Sequence, residues 1–258
     1  MAARLFSKVW GSEASAAATP LVLLHGFGGL AIGCQALAQE FCSDRQVIAF
    51  DLPGHGQSLN YPKAGHPRVA AAAVIRELKL LGLGKVHLCG HSMGGAIGVI
   101  IALQAPELIA SLTLIAPGGF GNKINSDLLR SFADAANRAE FERQFQKFYS
   151  SGYQISEEQI DLMVADRQRI GAREKLVEIA EIITKNGTQG LLPLDELATT
   201  GLPIHVIWGS DDQVVPVEQS RHLPLEFHLH LLENIGHNPH EEALNTVSHI
   251  MRDVMRNS

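Results

Sequence analysis

The stretch KVHLCGHSMGGAIG, Lys85 to Gly98, decides the reading of this chain. Its first half is an apolar strand pattern, and MGGAIGVIIALQ after it is a helical one. A serine is a poor residue to end a core strand, and a glycine pair is a poor start for a helix. Gly90 and Gly94 explain both, because a sharp turn between strand and helix leaves no room for Cβ atoms beside the serine. Strain on the order of 1–3 kcal/mol in such a turn persists when the elements on either side fix it. Its effect is to present the Ser92 hydroxyl as a nucleophile at the positive end of a helix.

Working outward, PLVLLHG, QVIAFD, SLTLIAP, PIHVIWG and EFHLHLLE repeat the apolar strand pattern of KVHLCG. PRVAAAAVIRELKLLGL, MGGAIGVIIALQAPEL and EEALNTVSHIMRDVMRN read as helices, the last beginning with Glu241 and Glu242 at its positive end. Near-continuous apolar strands alternating with helices predict an α/β fold, a mostly parallel sheet covered on both faces. The rhythm breaks over residues 119–201, where SDLLRSFADAANRAEFERQFQKFYSS and SEEQIDLMVADRQRIGAREKLVEIAEIITKN read as amphipathic helices with Ser126 and Ser156 as N-caps. The expected organisation is a core of residues 1–118 and 202–258 with a helical lid inserted at 119–201.

Composition narrows the function classes. The chain has 258 residues, 46% of them hydrophobic, enough for one large core, and a net charge of −6 with no basic run argues against a nucleic-acid partner. Cys34, Cys42 and Cys89 form no C-x-x-C pair and predict free thiols in a reducing compartment. The first twenty residues hold no continuous apolar segment after Arg4, and no stretch is long enough for a membrane span, so the expectation is a cytoplasmic protein with no membrane partner. Oligomeric state has no signature in the sequence.

Ligands of an open parallel sheet bind beyond the carboxyl ends of its strands. The segments there are His25-Gly26-Phe27-Gly28-Gly29, Asp51 to Gly56, Gly90 to Gly94, Gly209-Ser210-Asp211-Asp212 and Ile235-Gly236-His237. A serine, an acid and a histidine thus follow three strands in the chain order of a nucleophile, its orienting acid and its base. Ser92 is the predicted nucleophile. His237, directly after Gly236, is preferred as base over His240, and Asp212, two residues before Val214-Val215, is preferred as acid over Asp211. The backbone N–H groups of Phe27 and Met93 are the predicted oxyanion donors. The glycines of HGFGG lack the G-x-G-x-x-G spacing of a nucleotide loop, and no cofactor or metal is implied.

Other chemistry-bearing residues carry less. His228 and His230 share one strand face but suggest no third metal ligand. Asp51 and His55 are expected to build a turn near the site, and His91 to pack away from Ser92. Phe120, Phe148, Tyr149 and Met163 could line a substrate pocket or simply pack the lid.

The segments LVLLHGFGG, DLPGHGQS, GHSMGG, WGSDDQVVP and IGHNPHEE together resemble the α/β-hydrolase superfamily over nearly the whole chain. The resemblance implies Ser92, Asp212 and His237 as the catalytic triad and Phe27 and Met93 as oxyanion donors. One departure is Ala243, where many relatives carry proline. APGGFGNKINSDLLRSFADAANRAEF is similar in particular to the hydrolase-like region of acetoin dehydrogenase dihydrolipoamide acetyltransferase components. The H-x-x-x-D-G segment that lipoamide acetyl transfer requires is absent from the sequence. The chain is also similar to meta-cleavage-product hydrolases and enol-lactonases. The resemblance implies a cofactor-independent serine hydrolase acting on a small carboxylic ester, thioester or lactone. Its alternatives are a C–C bond hydrolase with the same triad and a ligand-binding receptor on the same fold.

Overall fold

The computed structural model describes residues 3–12 and 17–256. The N-terminal stretch considered above as a possible leader therefore lies partly outside the described residues. In chain order the strands are β1 Ser7–Trp10, β2 Leu21–Leu24, β3 Val47–Phe50, β4 Val86–His91, β5 Ile109–Ile115, β6 Ile204–Gly209 and β7 Phe227–Leu232. The helices are α1 Gln35–Gln39, α2 Pro67–Leu80, α3 Met93–Gln104, α4 Ser126–Asp134, α5 Arg138–Phe145, α6 Glu157–Arg167, α7 Ala172–Ile183, α8 Leu194–Ala198, α9 Pro239–Glu242 and α10 Leu244–Arg256.

The strands form one seven-stranded sheet in the order β1-β3-β2-β4-β5-β6-β7. All neighbours run parallel except β1, which lies antiparallel on β3. Successive residues point to opposite faces, and both faces are covered, which is why the strands read as unbroken apolar runs. Val22, Leu24, Leu88, Leu114 and Trp208 face one core layer, with α2 and α3. Leu21, Leu23, Cys89, Ile115 and Ile207 face the other, with α1 and α10. The register sets Leu24 beside Gly90 and Gly90 beside Leu114, so the loops that follow these strands emerge at one edge of the sheet.

Local expectations hold with three corrections. Ser156 caps α6 by accepting from Gln159 N–H at 3.2 Å. Asn125, not Ser126, caps α4, its side chain accepting from Leu128 N–H at 3.1 Å. The C-terminal helix is broken at Ala243 (φ −135°, ψ 44°) into α9 and α10. The two long helical runs between β5 and β6 are likewise interrupted, at residues 135–137 and at residues 168–171, where Gly171 at φ +81° stands before the first residue of α7. Among the described residues no helix is long and apolar enough to cross a membrane.

Candidate active site

The turn after β4 is as sharp as its glycines imply. Ser92 takes φ 53° and ψ −115°, a conformation that side chains rarely adopt. A Cβ on Gly90 would overlap the Gly94 carbonyl, and one on Gly94 would overlap the Leu24 carbonyl. Neighbouring elements hold the turn: Ser92 N–H donates to Ile115 O at 2.9 Å, and Ser92 O accepts from Ala96 and Gly118 N–H, both at 3.1 Å.

The loops after β6 and β7 bring the other two residues to this serine. His237 Nε2 lies 2.9 Å from Ser92 Oγ, and His237 Nδ1 lies 2.7 Å from Asp212 Oδ2. All three are buried. Asp212 Oδ1 accepts from the N–H groups of Val214 (2.8 Å) and Val215 (2.9 Å), and Oδ2 accepts from Trp208 Nε1–H at 3.1 Å. A carboxylate ringed by donors is an acceptor only, so Nδ1 of His237 carries the proton and Nε2 is left as an acceptor toward Ser92. Asp211 bonds Ser210 Oγ at the surface and takes no part.

The backbone on both sides of His237 is pinned. Its N–H donates to Phe148 O and its carbonyl accepts from His91 Nε2–H, both at 2.8 Å. The carboxylate of Glu242 accepts from Gly236 N–H (3.1 Å) and from Ser150 N–H (2.9 Å). Glu241 accepts from Tyr149 Oη–H at 2.6 Å and from Gln159 Nε2–H at 2.7 Å. The acids expected at a helix end thus spend their oxygens on the helical insertion and on the histidine loop. His91 packs beside the rings of His237 and His240 at centroid distances of 4.8 and 4.5 Å, and burial holds its pKa well below that of a free histidine. His240 takes no bond to Ser92, the place being filled by His237.

The loop after β2 closes the site. A Cβ on Gly26 would come 3.2 Å from Ser92 Cβ, so Gly26 and Phe27 run directly against the nucleophile. Neither Phe27 nor Met93 N–H donates to a backbone acceptor among the described residues. Two buried histidines shape this loop. His25 Nε2 accepts from Leu52 N–H at 3.0 Å, and His55 Nε2 accepts from Gly28 N–H at 3.1 Å. Accepting requires a bare ring nitrogen, and burial supplies it by lowering His25 to about 4 and His55 to about 3. Asp51 is structural, accepting from Ala31 N–H at 2.7 Å and Gln57 N–H at 2.8 Å. The part His25 plays was missed in sequence, because its partner is distant in the chain.

Two cavities meet at Ser92 and Phe27, one of about 580 Å³ and one of about 90 Å³. Phe148, Tyr149 and Met163 line the smaller one, whereas Phe120 packs on Trp208 with ring centroids 6.1 Å apart. Elsewhere, His228 and His230 have a neighbour invisible in sequence: His205 on β6 meets His230 at 2.9 Å and stacks on His228 at 4.6 Å. Among the described residues no group of three or more His, Cys, Asp or Glu is placed to hold a metal ion. The three cysteines are unpaired, and burial pushes the Cys34 thiol up to about 12.

Known proteins share the sequence pattern and the fold of this chain. The chain is 34% identical, over 239 residues, to the dihydrolipoyllysine-residue acetyltransferase component of the acetoin cleaving system of Pseudomonas putida; the match covers 92% of the chain but 64% of that relative. It is 28% identical, over 233 residues, to a 2-hydroxy-6-oxononadienedioate/2-hydroxy-6-oxononatrienedioate hydrolase of Burkholderia vietnamiensis, covering 84% of the chain and 80% of the relative. A solved meta-cleavage product hydrolase from Pseudomonas fluorescens IP01 shares the fold with a TM-score of 0.85 at 16% identity, over 98% of this chain and 94% of that one. Residues 19–244 match the family described as alpha/beta hydrolase fold. With a strained serine turn after β4, an acid after β6 and a histidine after β7 in this sheet, the chain belongs to the alpha/beta hydrolase fold family.

Proposed function

We propose that the protein is a cofactor-independent serine hydrolase that cleaves a carboxylic ester, thioester or lactone through an acyl-enzyme. The observation that carries this reading is the unbroken hydrogen-bonded chain Ser92–His237–Asp212, with the Phe27 and Met93 backbone N–H groups assigned as the oxyanion donors. Ser92 Oγ attacks the carbonyl carbon while His237 Nε2 takes its proton. The carbonyl π pair moves onto oxygen, where the two N–H groups receive it; one such donor is typically worth about 3–4 kcal/mol in the transition state. Collapse breaks the bond to the leaving atom, which takes the proton from His237, and water repeats the cycle to free the acid and Ser92. Asp212 keeps the imidazole in the required tautomer and stabilises the imidazolium. Residues 119–201 act as a lid that excludes water and shapes the acyl site. The three unpaired thiols fit a cytoplasmic setting.

The test is ester hydrolysis by wild type and Ser92→Ala. Among the described residues the Ser92 side chain bonds only His237, so the variant is expected to keep its fold. Its kcat is expected to fall by about 10⁴–10⁶-fold. Full activity in the purified variant sinks the reading. The similarity to the Burkholderia hydrolase supports a second reading, C–C bond cleavage by the same residues. Loss of dienol-ketone absorbance on mixing with a meta-cleavage product, in the absence of ester turnover, would favour it.

A further inference from the structure

The two cavities at Ser92 differ in more than volume. His237 lines the cavity of about 90 Å³, together with Phe132, Phe145, Phe148 and Met163. It is absent from the lining of the cavity of about 580 Å³. This asymmetry fixes the orientation of a substrate. The histidine that takes the proton from Ser92 Oγ must return it to the leaving atom, so that atom has to come within hydrogen-bond reach of His237 Nε2. The leaving group therefore belongs to the small aromatic cavity and the acyl group to the large one.

The wall of the large cavity says what the acyl group is. Helix α3 has no polar side chain between Gly94 and Leu103, although a helix at the outside of a sheet normally presents a polar face. Its Ile97, Val99, Ile101 and Ala102 are buried in the protein core. Ala96, Ile100 and Leu103, spaced four and three residues apart, lie on one stripe, are only half buried and line the large cavity. Ile124, Ile183 and Leu192 add apolar side chains to the same lining, whose polar members besides Ser92 are His66, Arg68, Gln104 and Gln189. This stripe begins one turn from Ser92 and ends at Leu103, about 16 Å along the helix at 1.5 Å per residue. An extended alkyl chain advances about 1.25 Å per carbon from its tetrahedral 1.5 Å bonds, so about 13 carbons span the whole distance and a chain of about 8–12 carbons fits within it.

We propose that the enzyme is selective for esters of a linear medium-length acyl chain, about 8–12 carbons, with a small leaving alcohol: the chain lies along Ala96, Ile100 and Leu103, and the alcohol leaves through the cavity beside His237. This rests on the serine hydrolase reading above and specifies its substrate. Each methylene that enters the apolar groove is expected to raise kcat/KM about threefold to fourfold until the groove is full.

Methyl decanoate and nonyl acetate are isomers of equal carbon count that place the long chain on opposite sides of the ester. Acid release from each, measured by pH-stat with Ser92→Ala as background, is expected to favour methyl decanoate at least tenfold. Across methyl esters from butanoate to tetradecanoate, kcat/KM is expected to climb and then level. In Leu103→Trp and Ile100→Trp the ratio of decanoate to butanoate turnover is expected to drop, more in the second because its ring lies nearer Ser92. Ser92-dependent hydrolysis that favours nonyl acetate, or that ignores acyl length, overturns this inference and leaves the hydrolase reading standing. Absence of Ser92-dependent hydrolysis for every ester overturns both. The isomer comparison uses the wild-type protein and does not depend on either variant folding.

Discussion

Replacing Asp212 by asparagine tests the chemistry of the site with the smallest change of shape. Four donors converge on this carboxylate: Val214 N–H, Val215 N–H, Trp208 Nε1–H and His237 Nδ1–H. An asparagine offers one oxygen and one NH₂, and so must face two of the donors with donors of its own. If the oxygen turns toward His237, both buried valine N–H groups lose their acceptor, at about 1–3 kcal/mol each. If the oxygen stays with the valines, Trp208 and His237 lose their acceptor, but Trp208 keeps Val215 O at 3.1 Å and His237 can move its proton to the other ring nitrogen. The second orientation wins. It places the NH₂ against His237 Nδ1 and forces the tautomer that carries its proton on Nε2. That nitrogen then donates to Ser92 Oγ and cannot accept from it. The expected loss in kcat is about 10⁴-fold, equivalent to about 5.5 kcal/mol of barrier, with KM little changed. Steady-state ester hydrolysis measures it, and ¹⁵N chemical shifts of His237 report the tautomer. Asp211→Asn is the comparison and is expected to leave kcat near wild type, since among the described residues the Asp211 side chain bonds Ser210 Oγ and no member of the site. A D212N enzyme with more than a tenth of wild-type kcat would refute the reasoning.

Two further outcomes are expected. His25 and His55 are buried with pKa values lowered from 6.5 to about 4 and about 3, so below pH 6.5 the unfolded chain binds protons that the folded chain refuses. Their contribution is fully present above pH 6.5 and is lost as the pH falls toward 4, by about 2 kcal/mol per histidine at pH 5. Urea unfolding at pH 7.5 and pH 5 measures this, and equal stability at the two values contradicts it. Tyr149→Phe removes a buried hydroxyl that donates to Glu241 at 2.6 Å and accepts from Gln159 at 2.9 Å. It is expected to destabilise the fold by about 1.5–3 kcal/mol, read from the urea midpoint, and an unchanged midpoint would show that this contact does not fasten the insertion to the histidine loop.

The sequence by itself determined the alternation of strands and helices, the elbow at Ser92, and the order in which serine, acid and histidine follow their strands. These are local signals: unbroken apolar runs for the strands, helical spacing between them, glycines where Cβ atoms cannot fit, and turn residues beside them. It missed β1, a four-residue edge strand with only half-buried and exposed positions, because such a strand carries no apolar run. It placed the α4 cap one residue late, since Asn125 and Ser126 are both good caps and the preceding backbone chooses between them. The sequence preferred His237 over His240 and Asp212 over Asp211, and the tertiary structure supplied the contacts, His237 on Ser92 and on Asp212. Only the tertiary structure decided the neutral His25 and His55 that hold the loop at Phe27, the place of His205 beside His228 and His230, and the two unequal cavities at Ser92. The physical reason is common to all of them: hydrogen bonds, desolvation and empty space are made between residues far apart in the chain, and a pattern along one segment holds no record of what packs against it.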